Sequence, residues 1–238
     1  MANFLLIHGA CHGGWCWERV TPLLEAAGHS VVTPDLPGQG ADTTRVSELS
    51  LKRYGEFVSE LAASNGPVVL VGHSMAGAVI SRAAEAVPDQ IERLVYLTAY
   101  LPQSGVSLAS LARRDMETAT ASERVEIDGV ECFTISRDAA RRAFYQDVSD
   151  ADFETAMARI GPEPVSIFRE KAVFTEDRFD RVPRVYIHCT QDKAIGYTLQ
   201  REMVRDTPCA SVLTLESGHS PFVTMPQELA EALLSLSE

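Results

Sequence analysis

The run Val68-Val69-Leu70-Val71 stops at Gly72-His73-Ser74-Met75-Ala76-Gly77, and a helix-compatible run, residues 78–86, follows at once. An uninterrupted apolar run of this kind reads as a strand buried on both faces, which commits the chain to a covered parallel sheet. Passing from such a strand into a helix within a few residues requires a sharp turn with strained backbone at its apex. A serine at that apex presents its hydroxyl. Gly72 and Ala76, two residues either side of Ser74, have to be small because strand and helix nearly touch there. An ordinary strand–helix loop fits the same letters, so partners elsewhere in the chain must decide.

A serine hydroxyl is a poor nucleophile unless a base activates it and a carboxylate orients that base. On a strand–serine–helix turn the partners follow in the order Ser, acid, His. Arg184-Val185-Tyr186-Ile187-His188-Cys189-Thr190 reads as a buried strand with Asp192 just past its end. Ser211-Val212-Leu213-Thr214-Leu215 reads as another, followed by Glu216-Ser217-Gly218-His219. The gap between Asp192 and His219 suits one helix and one strand, and both residues fall at the sheet edge where sites collect. His219 is therefore the candidate base and Asp192 its orienting acid. His73 is expected to point away from Ser74, His188 to pack within its strand, His29 to be solvated, and His12 to play a structural part. Asp177, Asp180 and Asp206 lack the strand-end setting.

Acyl transfer also needs preorganised N–H donors for the developing oxyanion. Asn3-Phe4-Leu5-Leu6-Ile7 reads as a short buried strand, and the loop His8-Gly9-Ala10-Cys11-His12-Gly13-Gly14 follows it. One donor comes from the residue after the nucleophile and one from such a loop, which gives the amides of Met75 and Ala10.

The segment Ile7-His8-Gly9-Ala10-Cys11-His12-Gly13-Gly14-Trp15-Cys16-Trp17 resembles the opening of the plant methylesterase and hydroxynitrile lyase branch of the α/β-hydrolases. Residues 22–29, Gly72-His73-Ser74, residues 174–179 and residues 185–193 carry the same resemblance, which is weakest at about residues 106–134. It implies the Ser74, Asp192 and His219 triad with the Ala10 and Met75 oxyanion hole. It also implies an α/β-hydrolase fold: a doubly wound, mainly parallel six-stranded sheet with an inserted cap, lacking the two leading strands of the full hydrolase sheet. Ala76 departs from the branch's usual glycine. The lyases of the branch carry a lysine after the catalytic histidine and a threonine after the first-strand histidine. Here those positions are Ser220 and Gly9.

Strands and helices alternate along the chain, with helices expected over residues 18–27 and after a Ser50 cap. From about residue 101 to 183 the alternation lapses. Arg124-Val125-Glu126-Ile127, Asp128-Gly129 and residues 130–135 read as a hairpin. Helices are expected over residues 137–147, 151–160 and 165–171. An insertion of that length is too long for a loop and is expected to form a cap over the site, within one domain spanning residues 1–238. Its aromatic residues Phe133, Phe144, Tyr145, Phe153 and Phe168 are expected to divide between cap core and pocket wall.

The 238 residues carry 21 basic and 33 acidic side chains, a net charge of −12 that argues against nucleic-acid and anionic-membrane partners. Five scattered cysteines suggest reduced thiols and a cytoplasmic protein without a metal centre. A core strand within the first seven residues sets the expectation of no cleavable signal.

The reading is a cofactor-independent carboxylic-ester hydrolase for small to medium hydrophobic or aromatic esters, with methyl esters first and man-made esters or carbamates compatible. Two alternatives stay open: a hydrolase-fold ligand receptor with vestigial turnover, and a hydroxynitrile lyase-like enzyme. An aspartate-nucleophile chemistry is disfavoured by Ser74. The sequence does not fix the oligomeric state and leaves a homodimer open.

Overall fold

A computed structural model describes residues 1–236. In chain order, β1 (Asn3–Ile7) is followed by α1 (Thr21–Ala26), β2 (Ser30–Val32), α2 (Leu51–Ser64), β3 (Val68–His73), α3 (Ala76–Ala86) and β4 (Ile91–Leu97). An inserted segment then carries α4 (Leu108–Ala112), β5 (Ser122–Ile127), β6 (Val130–Ile135), α5 (Arg137–Ala143), α6 (Asp150–Met157), β7 (Glu163–Pro164) and α7 (Val165–Arg169). The alternation resumes with β8 (Arg184–Cys189), α8 (Tyr197–Asp206), β9 (Ser211–Leu215), α9 (Pro221–Thr224) and α10 (Pro226–Leu234).

The expected six-stranded sheet forms in the order β2-β1-β3-β4-β8-β9, and every pairing in it is parallel. Successive residues of a strand face opposite sides, so β1 sends Phe4 and Leu6 to one core and Leu5 and Ile7 to the other. The first core includes Trp17, Leu24 of α1, and Leu229 and Leu233 of α10. The second includes Tyr54 and Val58 of α2 with Val79 and Ile80 of α3. Burial on both faces is why β1 and β3 read as nearly unbroken apolar runs.

The chain leaves β1 for β2 on one side and later returns to place β3 on the other. That reversal opens a crevice beyond the carboxyl ends of β1 and β3, the position where ligands bind in open α/β sheets. Ile7 stands level with Gly72 across this pair, which brings the loop after β1 alongside the turn after β3.

The inserted segment has its own small sheet and apolar cluster. β5 and β6 form the expected antiparallel hairpin, with Asp128 at φ 50° and Gly129 at φ 77° in its two-residue turn. β7 adds a third strand through Cys132 and Phe133. Phe133, Ile135, Phe144, Tyr145, Phe153 and Val165 pack together here. Ala172, Phe174, Phe179 and Val182 rejoin the core that contains α2 and α3.

α6 and α7 end at Met157 and Arg169, short of the expected 160 and 171, and two further helix boundaries differ from expectation for local reasons. In place of a helix over residues 18–27, a 3-10 turn covers Gly14–Trp17 and α1 starts only at Thr21. Pro22 has no amide to donate and fits only the first helical turn, so it marks the start. α5 stops at Ala143, short of residue 147, because Phe144 and Tyr145 turn inward against the site. Among the described residues, no helix is long and apolar enough to cross a membrane.

Candidate active site

The turn after β3 has the strained geometry that its sequence predicts. Ser74 sits at φ 55°, a left-handed conformation that costs a non-glycine residue energy. A Cβ at Gly72 would come within 2.9 Å of the Ala76 carbonyl oxygen, so strand and helix do nearly touch. A Cβ at Gly9 would lie 2.9 Å from Ser74 Cβ, so the loop after β1 comes equally close.

Asp192 and His219 meet beyond the ends of β8 and β9, both buried. His219 Nδ1 lies 2.7 Å from Asp192 Oδ2, a hydrogen bond in which the ring donates and which turns Nε2 away from the carboxylate. Asp192 also accepts from the amides of Ala194 at 2.6 Å and Ile195 at 3.0 Å, and from the Thr98 hydroxyl. Thr98 itself lies at φ 36° just past β4.

Ser74 and His219 open on one cavity of about 460 Å³, together with Gly9, Ala10, His12 and His73. The inserted segment supplies its apolar wall, including Phe133, Ile135, Phe144, Val165 and Phe168. Of the aromatic residues expected to divide between wall and core, Tyr145 and Phe153 belong to the buried cluster. Phe144 stacks on the His219 ring at 5.2 Å between centroids.

Ala10 borders the cavity, and Met75 follows Ser74 at the N-terminus of α3. The amides of both are without an acceptor among the described residues. The Ala10 carbonyl is held by His12 Nδ1–H at 2.7 Å, and His12 Nε2 accepts from the Tyr145 hydroxyl at 2.7 Å. Burial pushes the His12 pKa down to about 3, so this histidine stays neutral and serves as a strut.

His73 does not point away from the site. Its ring lies 4.6 Å from that of His219 and borders the same cavity, because the strained turn swings residue 73 beneath the loop after β1. Its Nε2–H donates to the His219 carbonyl at 2.8 Å, and burial holds its pKa well below the usual histidine range. His188 packs within its strand against Gln200 as expected, and His29 accepts from the Ala2 amide. Among the described residues, no group of three or more His, Cys, Asp or Glu side chains could hold a metal ion.

Sequence reasoning missed Thr98 and Glu163. Glu163 is fully buried on β7 and accepts from the Cys11 amide, the Gln39 side chain and the Tyr54 hydroxyl. Its local sequence, Gly161-Pro162-Glu163-Pro164, reads as an exposed turn. The one signal that could have marked it is an acidic residue flanked by prolines in a segment expected to lie over the site.

Residues 4–232 match the Alpha/beta hydrolase family. The chain is 34% identical over 252 residues to Methylesterase 7 of Arabidopsis thaliana, covering 99% of this chain and 96% of that protein. Among solved structures, polyneuridine aldehyde esterase superposes with a TM-score of 0.90 at 26% identity, covering both chains completely. A pyrethroid hydrolase from Sphingobium faniae JZ-2 superposes with a TM-score of 0.86 at 29% identity, over 99% of this chain and 97% of that one.

Proposed function

We propose, from the premise that this chain belongs to the alpha/beta hydrolase family and its plant methylesterase branch, that it is a serine-dependent carboxylic-ester hydrolase. The observation that carries this reading is the meeting of three distant segments at one cavity: strained Ser74, the buried His219–Asp192 pair, and the unpaired amides of Ala10 and Met75.

In the proposed reaction His219 Nε2 takes the proton of Ser74 Oγ as the oxygen attacks the ester carbonyl. Asp192 stabilises the imidazolium that results, and the Ala10 and Met75 amides hold the oxyanion. His219 then passes its proton to the departing alkoxide, and the C–O bond breaks to leave an acyl-serine. Water, deprotonated by His219, attacks the acyl carbon, and the proton returns to Ser74 as the acid leaves. This chemistry calls on no cofactor.

A cavity of about 460 Å³ walled by phenylalanines suits small to medium hydrophobic or aromatic acyl groups. Methyl esters come first, and man-made esters and carbamates are compatible with the same walls. We read residues 1–238 as one hydrolase domain, with residues 101–183 as the cap. All five cysteines are free thiols, which suits a reducing compartment, and we place the protein in the cytoplasm.

Ser74→Ala tests the reading. Turnover of an aryl ester should fall by about 10⁴-fold or more with the circular dichroism spectrum unchanged. A folded variant keeping a tenth of wild-type turnover would exclude Ser74 as the nucleophile. Turnover that stays very slow or single on every ester of a panel would favour a ligand receptor.

A further inference from the structure

Glu163 is a fully buried carboxylate that forms no ion pair among the described residues. Its surroundings are the Cys11 and Cys132 thiols, the Tyr54 phenol and the Gln39 amide, and burial pushes its pKa up to about 7. A carboxylate so placed is costly unless its hydrogen bonds are needed, and an apolar residue of similar size would suit a purely structural role better.

The three donors identify what it holds. Tyr54 reaches Oε1 from α2 at 2.9 Å, and Gln39 reaches Oε2 from the loop after β2 at 3.1 Å. The third is the backbone amide of Cys11, at 3.1 Å from Oε2. Cys11 directly follows Ala10 and lies at φ 66°, a conformation that needs outside support. The peptide joining Ala10 to Cys11 is therefore gripped at both ends, its carbonyl by His12 and its N–H by Glu163. The Cys11 carbonyl is held as well, by the Gly161 amide at 2.9 Å.

We propose that Glu163 is a positioning residue for ester hydrolysis: through the Cys11 amide it fixes the peptide after Ala10, and so aims the Ala10 N–H at the oxyanion. The inference rests on Ala10 being an oxyanion donor. It makes the inserted segment a working part of the oxyanion hole as well as a wall. Removing an oxyanion donor costs about 10²–10³ in kcat, so a donor that is present but misaimed should cost about 10- to 100-fold.

The test uses the full chain and two measurements on Glu163→Leu, Glu163→Asp and Glu163→Gln. One is the kcat and KM of an aryl ester. The other is the Ki of an aryl trifluoromethyl ketone, whose adduct with Ser74 places an oxyanion in the hole. Glu163→Leu should lower kcat about 10- to 100-fold, raise Ki by the same factor, and leave KM within about threefold. Glu163→Asp, whose carboxylate is drawn back from the Cys11 amide by one methylene, should repeat that paired loss, and it decides the matter if the leucine variant does not fold. Glu163→Gln keeps an acceptor for Cys11 and should restore kcat and Ki to within about fivefold of wild type. Unchanged Ki in the Leu or Asp variant overturns the proposal, and so does a loss of kcat that Ki does not follow. A wild-type enzyme that the ketone does not inhibit would instead count against the serine mechanism itself.

Discussion

Three of the four non-glycine residues at positive φ in the described chain, Cys11, Ser74 and Thr98, stand around one site. Strain of this kind persists only where the surroundings enforce it, and here each residue presents or supports a group that the proposed reaction uses. Thr98 is the most demanding, since a β-branched side chain is rarely tolerated there. Its hydroxyl is one of four donors to Asp192. Thr98→Val should remove a hydrogen bond to a buried carboxylate and lower stability by about 1.5–3 kcal/mol in urea denaturation. Turnover should fall with it, because Asp192 is freer to leave His219; unchanged stability and rate would show that Thr98 only packs. The strand-end positions of Ser74, Asp192 and His219 were legible because each lies just past a run that reads as a strand. Glu163 and Thr98 were not, because their meaning lies in partners such as Tyr54 and Asp192, 109 and 94 positions away.

At the level of elements, β1 and β3 at the middle of the main sheet were readable because burial on both faces leaves a nearly uninterrupted apolar string, whereas the edge strands β2 and β9 are partly exposed and were marked by short β-branched runs. Short helices were less so. α4 spans five residues, too few for a helical period to declare itself, and passed unread. A serine cap was a better guide, since Ser50 accepts from the Arg53 amide as a helix-opening serine should. Ser50 opens α2, the helix that carries Tyr54 to Glu163. Ser50→Ala should cost about 1 kcal/mol of stability, read from the urea midpoint, with little change in kcat. A loss of kcat without a loss of stability would mean that α2 shifts within the folded protein instead of merely fraying.

For the molecule as a whole, buried titratable groups set opposing limits on pH stability. His8, His12 and His73 have depressed values, about 4 for His8 and about 3 for His12. Their contribution is present above the ordinary histidine value and is lost as pH falls toward those numbers. Glu163 is raised from 4.5 to about 7, so its contribution is full below the ordinary glutamate value and is lost as pH rises through about 7. Urea unfolding of wild type and Glu163→Gln should therefore show the variant gaining relative stability from pH 5 to pH 8; a pH-independent difference would mean that Glu163 does not titrate there. The same global arrangement bears on reaction type. Ser220 donates to the Phe144 carbonyl at 2.8 Å, and Lys193 is exposed and absent from the cavity lining, so neither offers a cation beside His219. On one preparation, aryl-ester hydrolysis should exceed mandelonitrile cleavage in kcat/KM, and the reverse order would move the protein to the lyases. The inserted segment holds both sides of the site: Tyr145 braces His12, Gly161 and Glu163 hold Cys11, and Asp147 accepts from the Gly218 amide beside His219. A chimaera that borrows this segment from a relative would therefore inherit an altered rate along with an altered substrate range, because the segment is not a detachable module.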